Sequence, residues 1–117
     1  MGARIHRLKT WCEPFQAVKH GLKPFEIRKN DRDYRKGDYL VLDEWNHVTG
    51  SYTTDEPIVR VVTYLLPGGR FGLAEDHVAM GVDKLSHRQL ELILLDVAPE
   101  RGASPSSGPG EKEGGSQ

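Results

Sequence analysis

A chain of 117 residues, of which 37% are hydrophobic, predicts a single domain with one modest core. The formal net charge of −1 hides a basic N-terminal part, because residues 1–36 carry ten Lys/Arg against four Asp/Glu. Such asymmetry favours contact with an anion such as nucleic acid. One cysteine, Cys12, excludes an internal disulfide, and no run of eighteen apolar residues occurs. We therefore expect a soluble cytoplasmic protein with no membrane partner.

The first half of the chain predicts a strand, a helix and a second strand. Imperfect alternation over residues 3–9 indicates a short strand, and a compact helix is expected over 13–20. Gly21 supplies the left-handed residue that ends this helix. A second strand is expected over 23–29. The turn-forming side chains that follow, over 30–38, predict one exposed loop bracketed by two tight reversals.

The second half predicts three more strands. Tyr39 opens a nearly continuous apolar strand that runs toward Trp45, as expected of a central strand in a closed sheet. Gly50 suits the left-handed position of a hairpin turn. Residues 58–66, rich in β-branched side chains, predict the strongest strand, and residues 77–82 predict the last. The pattern indicates an α+β fold built on a small β-barrel of about five to six strands with an early helix.

A helical pattern follows the strands. Ser86 and Gln89 form a capping-box pair at the start of a C-terminal helix expected over 87–97. Its apolar residues recur at helical spacing and are expected to pack on the barrel: Leu90, Ile93, Leu94 and Val97. Beyond this helix the composition is almost entirely Gly, Pro, Ser, Glu and Lys. It predicts a domain over 1–99 and a disordered tail over 100–117.

The charged stretch over residues 21–38 is too polar for a core and too dense in charge for a linker. Alternation places Glu26 and Arg28 on one face of the second strand, with the Lys23 ammonium near its start. A carboxylate between two bases keeps its charge and holds both bases in place. This arrangement suits a polar, anionic ligand. The opposite face is expected to hold the other members of the alternation: Lys23, Phe25 and Ile27.

Two motifs stand in the charged stretch: Gly21-x-Lys23-x-x-Glu26-x-Arg28 and Arg35-Lys36-Gly37-Asp38. They resemble motifs of the ASCH-like domains of the PUA-like superfamily. Four further segments are similar to an uncharacterised bacterial and phage branch of that superfamily: His6-x-Leu8-Lys9, the helix from Phe15 to Gly21, Phe25-Glu26-Ile27-Arg28-Lys29-Asn30-Asp31-Arg32, and Phe71-Gly72-Leu73. The resemblance covers about residues 4–84.

The resemblance implies a compact pseudo-barrel with a cleft that takes RNA, or a modified base extruded from a nucleic acid. Two activities occur among similar domains: deacylation of acetylcytidine by a Lys, a Thr and a Glu, and cleavage of RNA. In the first group a Thr stands three residues after the Lys, and that position is Glu26 in this chain. The resemblance therefore does not extend to the hydrolysis of acetylcytidine by this chain.

Eight residues are expected to form the nucleic-acid-binding cleft: Lys9, Trp11, Lys23, Glu26, Arg28, Lys29, Asn30 and Arg32. Arg28 is expected to pair with Glu26 and to contact a phosphate or a base edge. Lys9, Lys29 and Arg32 either border the cleft and attract phosphate or are solvated surface.

Other candidate side chains are few. Trp11 is placed to stack on a base, whereas core packing is expected of Trp45. Thr10 and Cys12 would act as nucleophiles only beside a base. The five histidines show no ligand spacing, so no metal and no cofactor is expected.

Two other classes of function stay open. A hydrolase acting on RNA or on a modified nucleoside would use Lys23 to orient the scissile group and Glu26 to transfer protons. A protein-interaction module would use the acidic second half and the C-terminal helix to recruit a partner. Nucleic-acid binding, with RNA as the first ligand, is the favoured prediction.

Overall fold

The computed structural model describes residues 2–95, and the tail predicted over 100–117 lies outside this range. The described chain forms six strands and two helices. In chain order they are β1 (Ile5–Trp11), α1 (Cys12–Lys19), β2 (Phe25–Lys29), β3 (Tyr39–Asn46), β4 (Ser51–Tyr52), β5 (Ile58–Pro67), β6 (His77–Asp83) and α2 (His87–Leu95).

All six strands belong to one sheet, whose hydrogen-bonded path runs β1-β3-β5-β6-β2, with β4 paired to β3. β1 and β3 run parallel, and the other pairs are antiparallel. The sheet curls into a half-barrel, so β1 and β2, the two ends of this path, approach each other without a shared ladder. A small α+β fold on a curled sheet is confirmed, with β3 inside the sheet as expected.

A β-bulge contributes to the curl. The register between β5 and β6 shifts between Val62 and Tyr64, which leaves Thr63 without a partner residue on β6. Gly81 lies beside the bulge, and a Cβ at this position would stand 3.3 Å from Thr63 Oγ1. A bulge bends its strand and raises the local twist. The bend favours the curvature that carries β2 round toward β1.

The core lies inside the curl and under α1. Phe15 and Val18, three residues apart on α1, are fully buried, as their spacing predicts. The sheet and one loop residue supply the other members of this buried cluster: Leu8, Tyr34, Leu40, Leu42, Val62, Val78, Met80 and Val82. One helix and one curled sheet therefore share a single core.

The predicted boundaries agree closely with the observed ones. The helix expected over 13–20 is Cys12–Lys19, and Gly21 follows it with a φ of 78°. Gly50 has a φ of 72° in the turn between β3 and β4, as expected. β4 has no counterpart in the sequence pattern, because two residues are too few to show a period.

The charged stretch was the main error of the sequence prediction, because part of it lies in the interior. Lys23, Glu26 and Arg28 are buried, and so are Tyr34 and Asp38 in the loop predicted to be exposed. Charged groups enter an interior when opposite charges and hydrogen bonds offset the loss of water. Their residue types alone do not reveal such partners.

The alternation along β2 is confirmed, with one exception. Glu26 and Arg28 share the buried face, whereas Phe25 is exposed and Ile27 is half-buried. Lys23 does not join that second face, because it precedes β2 and its ammonium turns inward to Glu26.

The capping box of α2 is confirmed. The Ser86 N–H donates to Gln89 Oε1 at 2.8 Å, and the Gln89 N–H donates to Ser86 Oγ at 3.1 Å. Of the apolar residues expected to pack, Ile93 is buried, whereas Leu90 is 39% exposed. The side chains of Leu94 and Val97 lie outside the described part of the chain. Neither helix within residues 2–95 is long and apolar enough to cross a membrane.

Gly68→Ala is expected to destabilise the fold. A Cβ at Gly68 would stand 2.0 Å from the Ala74 carbonyl oxygen and 2.5 Å from that of His77. The Ala74 carbonyl already accepts the His77 N–H at 3.0 Å, so the loop must move and lose this bond. We expect the free energy of unfolding in urea to fall by about 2–3 kcal/mol.

Gly2→Ala is the matched control, because no atom lies within 4 Å of a Cβ at Gly2. Equal urea midpoints for the two variants would contradict the clash at Gly68.

Candidate functional site

A buried ion cluster stands at the inner face of β2. The Lys23 ammonium lies 2.9 Å from Glu26 Oε2, and Arg28 Nη2 lies 3.1 Å from Glu26 Oε1. Glu26 is 0% exposed, Arg28 4% and Lys23 7%. The expected carboxylate between two bases is thus present, and both of its oxygens are engaged. The cluster carries two positive charges and one negative charge.

Arg28 also spans the gap between β2 and β1. Its Nη1 donates to the Lys9 carbonyl at 3.0 Å, and its Nη2 donates to Thr10 Oγ1 at 2.9 Å. The Thr10 hydroxyl is buried and donates in turn to the Leu8 carbonyl at 3.4 Å. Side-chain donors therefore join two strands that backbone bonds leave unjoined. We call this junction between β1 and β2 the seam.

Two further arginines continue the seam toward the start of β1. Arg32 Nη1 donates to the Arg7 carbonyl at 3.1 Å. Arg4 Nη2 donates to the Arg32 carbonyl at 3.0 Å and also to the Asp33 carbonyl. The edge carbonyls of β1 thus accept from guanidinium groups, which puts positive charge along the whole seam.

Asp38 fixes the loop that borders this end of the seam. Its carboxylate accepts the backbone N–H of Arg4 at 3.1 Å, the backbone N–H of Arg35 at 3.0 Å and His6 Nε2 at 2.8 Å. Burial alone would raise the pKa of Asp38, but these hydrogen bonds lower it below its usual value. Burial lowers the pKa of His6 below 6.5, although the bond to Asp38 opposes the shift. Neutral His6 is therefore the donor in this pair.

An aromatic cluster lies where β1 and β3 end. The Trp11 and His47 rings stack with centroids 3.7 Å apart and planes 8° from parallel. The Lys9 ammonium lies 4.0 Å from the centroid of the Trp45 ring, whose edge meets Tyr52. Trp45 is half-buried, so the expected core packing is only partial. Trp11 is half-buried and His47 is exposed, so the stack presents part of a flat aromatic surface of the kind on which bases pack.

The structure brings only part of the expected site together. Lys23, Glu26 and Arg28 meet one another, Arg28 reaches the Lys9 backbone, and Arg32 lies further along the same seam. Trp11 follows Thr10 at the end of β1. Lys29 and Asn30 are exposed at the end of β2, and the Asn30 N–H donates to the Asp76 carbonyl at 2.8 Å.

Sequence reasoning missed three members of this region. Thr10 is a buried hydrogen-bond partner of Arg28. Arg4 belongs to the seam, and His47 to the aromatic cluster. The alternation of β1 could have placed Thr10 inside, but the partners of Arg4 and His47 are distant in sequence and leave no local signal.

Comparison with known proteins shows that the part of the chain that holds the buried cluster matches a recognised family. The profile of a family described as a domain of unknown function (DUF3850) matches residues 5–82. This range holds the six strands apart from the last residue of β6, and the seam apart from Arg4. The chain is also 45% identical over 53 residues to an uncharacterized 12.9 kDa protein in the GpA 3′ region of Escherichia phage P2. That alignment covers 45% of this chain and 47% of the phage protein, so the chain spans about half of its relative.

Thr10→Val is expected to weaken the seam. The change removes the only side-chain acceptor that β1 offers to Arg28 within the described chain, and it leaves a buried guanidinium N–H unpaired. We expect the free energy of unfolding to fall by about 1–3 kcal/mol. Thr63→Val is the control of identical chemistry, because Thr63 is exposed on β5. A Thr10→Val variant as stable as Thr63→Val would contradict the bridging role of this hydroxyl.

Stability is expected to fall as the pH drops below about 6.5. His6 has a lowered pKa in the folded protein, so the unfolded chain binds more protons between that pKa and its own value of 6.5. The contribution of neutral His6 is complete above pH 6.5 and is lost as the pH falls toward the folded pKa. Urea unfolding across this range measures how steeply the free energy of unfolding changes with pH, and one proton accounts for at most about 1.4 kcal/mol per pH unit.

His6→Gln is expected to reduce this pH dependence, because glutamine keeps a donor for Asp38 but does not titrate. Exposed His20, changed to Gln in the same way, serves as the control. If His20→Gln reduces the pH dependence as much as His6→Gln does, the buried pair is not the source of the effect.

Proposed function

The chain belongs to the DUF3850 family, and we propose that it is a nucleic-acid-binding domain whose ligand, RNA in the first instance, lies along the seam. The observation that carries this proposal is the surplus of positive charge beneath the seam. One carboxylate, Glu26, faces two bases, Lys23 and Arg28, and all three side chains are buried. An uncompensated charge of this kind attracts a polyanion.

The exposed surroundings of the seam fit the same ligand. Lys29 and Asn30 project from the end of β2, and half-buried Arg32 follows them in the loop. Lysine and arginine contact phosphates without regard to sequence, and asparagine can donate to sugar or phosphate oxygens. These three residues are assigned to the backbone of the bound strand.

The aromatic cluster supplies a stacking surface beside these charges. Trp11 is held by its stack on His47, and Lys9 is held over Trp45. A base packed on a fixed aromatic ring gains about 1–3 kcal/mol, whichever base it is. Stacking with phosphate contacts favours a single strand, whose bases are free to leave their own stack.

The buried cluster is proposed to position the two strands that border the seam. Lys23, Glu26 and Arg28 hold β1 and β2 at a fixed separation and set the electrostatic field between them. A modified base, extruded from its strand, would enter at this point. The curled sheet is compatible with the PUA-like architecture, so we extend the proposal to an ASCH-like member of that superfamily acting in the cytoplasm.

Binding is favoured over hydrolysis by the state of Glu26. Both of its oxygens accept from bases and none of its surface is exposed, so a substrate cannot reach it in this conformation. A general base must reach the proton that it removes. Turnover of a ribonucleotide or an acylated nucleoside that disappears in Glu26→Gln, with binding kept, would establish the hydrolase instead.

Tryptophan fluorescence tests the proposal. A short single-stranded RNA should quench Trp11, and its affinity should fall as the salt concentration rises, because bound phosphates release counterions. Lys29→Gln should weaken binding of all sequences alike and lower the salt slope by about one. Arg88→Gln, an exposed base on α2, is the charge-matched control.

Two results would contradict the proposal. One is an RNA affinity that Lys29→Gln and Arg88→Gln reduce equally, since it would remove the seam from the binding surface. The other is a response to free nucleosides that does not depend on salt, since it would indicate a small-molecule pocket rather than a strand-binding surface.

A further inference from the structure

A second basic region lies away from the aromatic cluster, between β5, β6 and the start of α2. It consists of two adjoining depressions of about 420 and about 160 Å³, and both are lined by Arg60 and Lys84. The smaller depression also reaches Lys23, at the other end of the buried cluster. We call the two together the Arg60 depression.

Arg60 is half-buried without a neutralising carboxylate. Its guanidinium donates to the Val59 carbonyl at 2.9 Å and to the Val18 carbonyl at 3.4 Å. No acid of the described chain forms an ion pair with it. Burial lowers the pKa of Arg60, and the charge of Asp83 opposes that shift from further away. A half-buried positive charge with no opposite charge in contact is costly, so an anionic ligand would stabilise it.

Lys84 adds a second positive charge. Its backbone N–H donates to Asp83 Oδ1 at 2.8 Å, which fixes the chain at this point. Its ammonium is exposed and has no side-chain partner among residues 2–95. Arg60 and Lys84 therefore present two cationic groups to both depressions, and Asp83 lines the smaller one. A third base, Lys19, lines the larger one and is paired with Asp55 at 3.1 Å.

The larger depression also has an apolar wall. Pro57, Ile58, Leu85 and Leu90 line it together with Arg60 and Lys84. Leu90, which departs from the packing expected of α2, is 39% exposed and lines this depression. A ligand that fits has a compact anionic group and an apolar, flat part.

We propose that the Arg60 depression is a phosphate site, in which Arg60 and Lys84 bind the phosphate of a nucleotide unit whose base and sugar lie on the apolar wall. Arginine suits the role because its donors match the oxygens of a phosphate in pairs. The same chemistry is offered by a free mononucleotide and by the phosphorylated end of a strand. The site does not rest on the proposed function of the seam, since it shares only Lys23 with it.

The test is an NMR titration of the full-length ¹⁵N-labelled protein with adenosine 5′-monophosphate, adenosine and inorganic phosphate. The monophosphate should shift the backbone amides of residues 58–60 and 83–85 and bind at least about tenfold more tightly than adenosine. Equal affinity for the two compounds, or shifts confined to other segments, would overturn the proposal.

Charge-removing variants locate the phosphate. Lys84→Gln should weaken binding of adenosine 5′-monophosphate about tenfold without affecting the fold, because its ammonium is exposed. Arg60→Gln should weaken it at least as much. Arg70→Gln, an exposed base outside the depression, should leave it unchanged. Unchanged affinity in Lys84→Gln and Arg60→Gln would overturn the assignment.

Two more titrations separate the sources of the ligand and the two sites. A 5′-phosphorylated RNA that shifts residues 58–60 more than its unphosphorylated form identifies a strand end, whereas an effect of the mononucleotide alone identifies a free nucleotide. Lys29→Gln should not alter the response to the mononucleotide. If it removes that response, the phosphate lies at the seam and the Arg60 depression is not a separate site.

Discussion

The bond network around Glu26 is the constraint on which the curled sheet depends. Glu26 on β2 holds Arg28, and Arg28 reaches the Lys9 carbonyl and the Thr10 hydroxyl on β1. Arginine can serve all three acceptors because its donors form a rigid fork, which a lysine ammonium lacks. Removal of one charge leaves its partner buried and unpaired, a loss that commonly costs about 3–5 kcal/mol. The two ends of the sheet are thereby held together by side chains.

Stability alone does not account for these charges. A buried ion cluster often contributes no more to the free energy of unfolding than well-packed apolar residues of similar volume. An apolar seam would nevertheless lack two properties: a positive field beneath the strand edges and a fixed gap between them. Both properties serve a bound polyanion, and the exposed Lys29 and the Trp11 stack lie beside the same gap. These properties support the proposed role of the seam as a nucleic-acid-binding surface.

The local sequence pattern predicted the helices and strands of this fold. Contacts between residues distant in sequence determined which charged side chains are buried. The spacing of Phe15 and Val18 and the alternation of Glu26 with Arg28 indicate which sides face inward. Residue polarity gave the wrong environment for the charged stretch, because Glu26 and Arg28 are buried only when β1 lies opposite them. The position of the Arg60 guanidinium depends on the Val18 carbonyl, 42 residues away in sequence, so no local motif indicates it.

Arginine and tryptophan side-chain N–H signals test the central claim most directly. On addition of a short single-stranded RNA, the Trp11 Nε1–H and the Arg28 Nε–H should shift together with the backbone amides of residues 9–11 and 29–32. Arg28 should respond through the field at the seam, although its guanidinium stays buried. RNA binding that leaves Trp11 and Arg28 unshifted while other segments respond would contradict the account, because the ligand would then lie elsewhere on the protein.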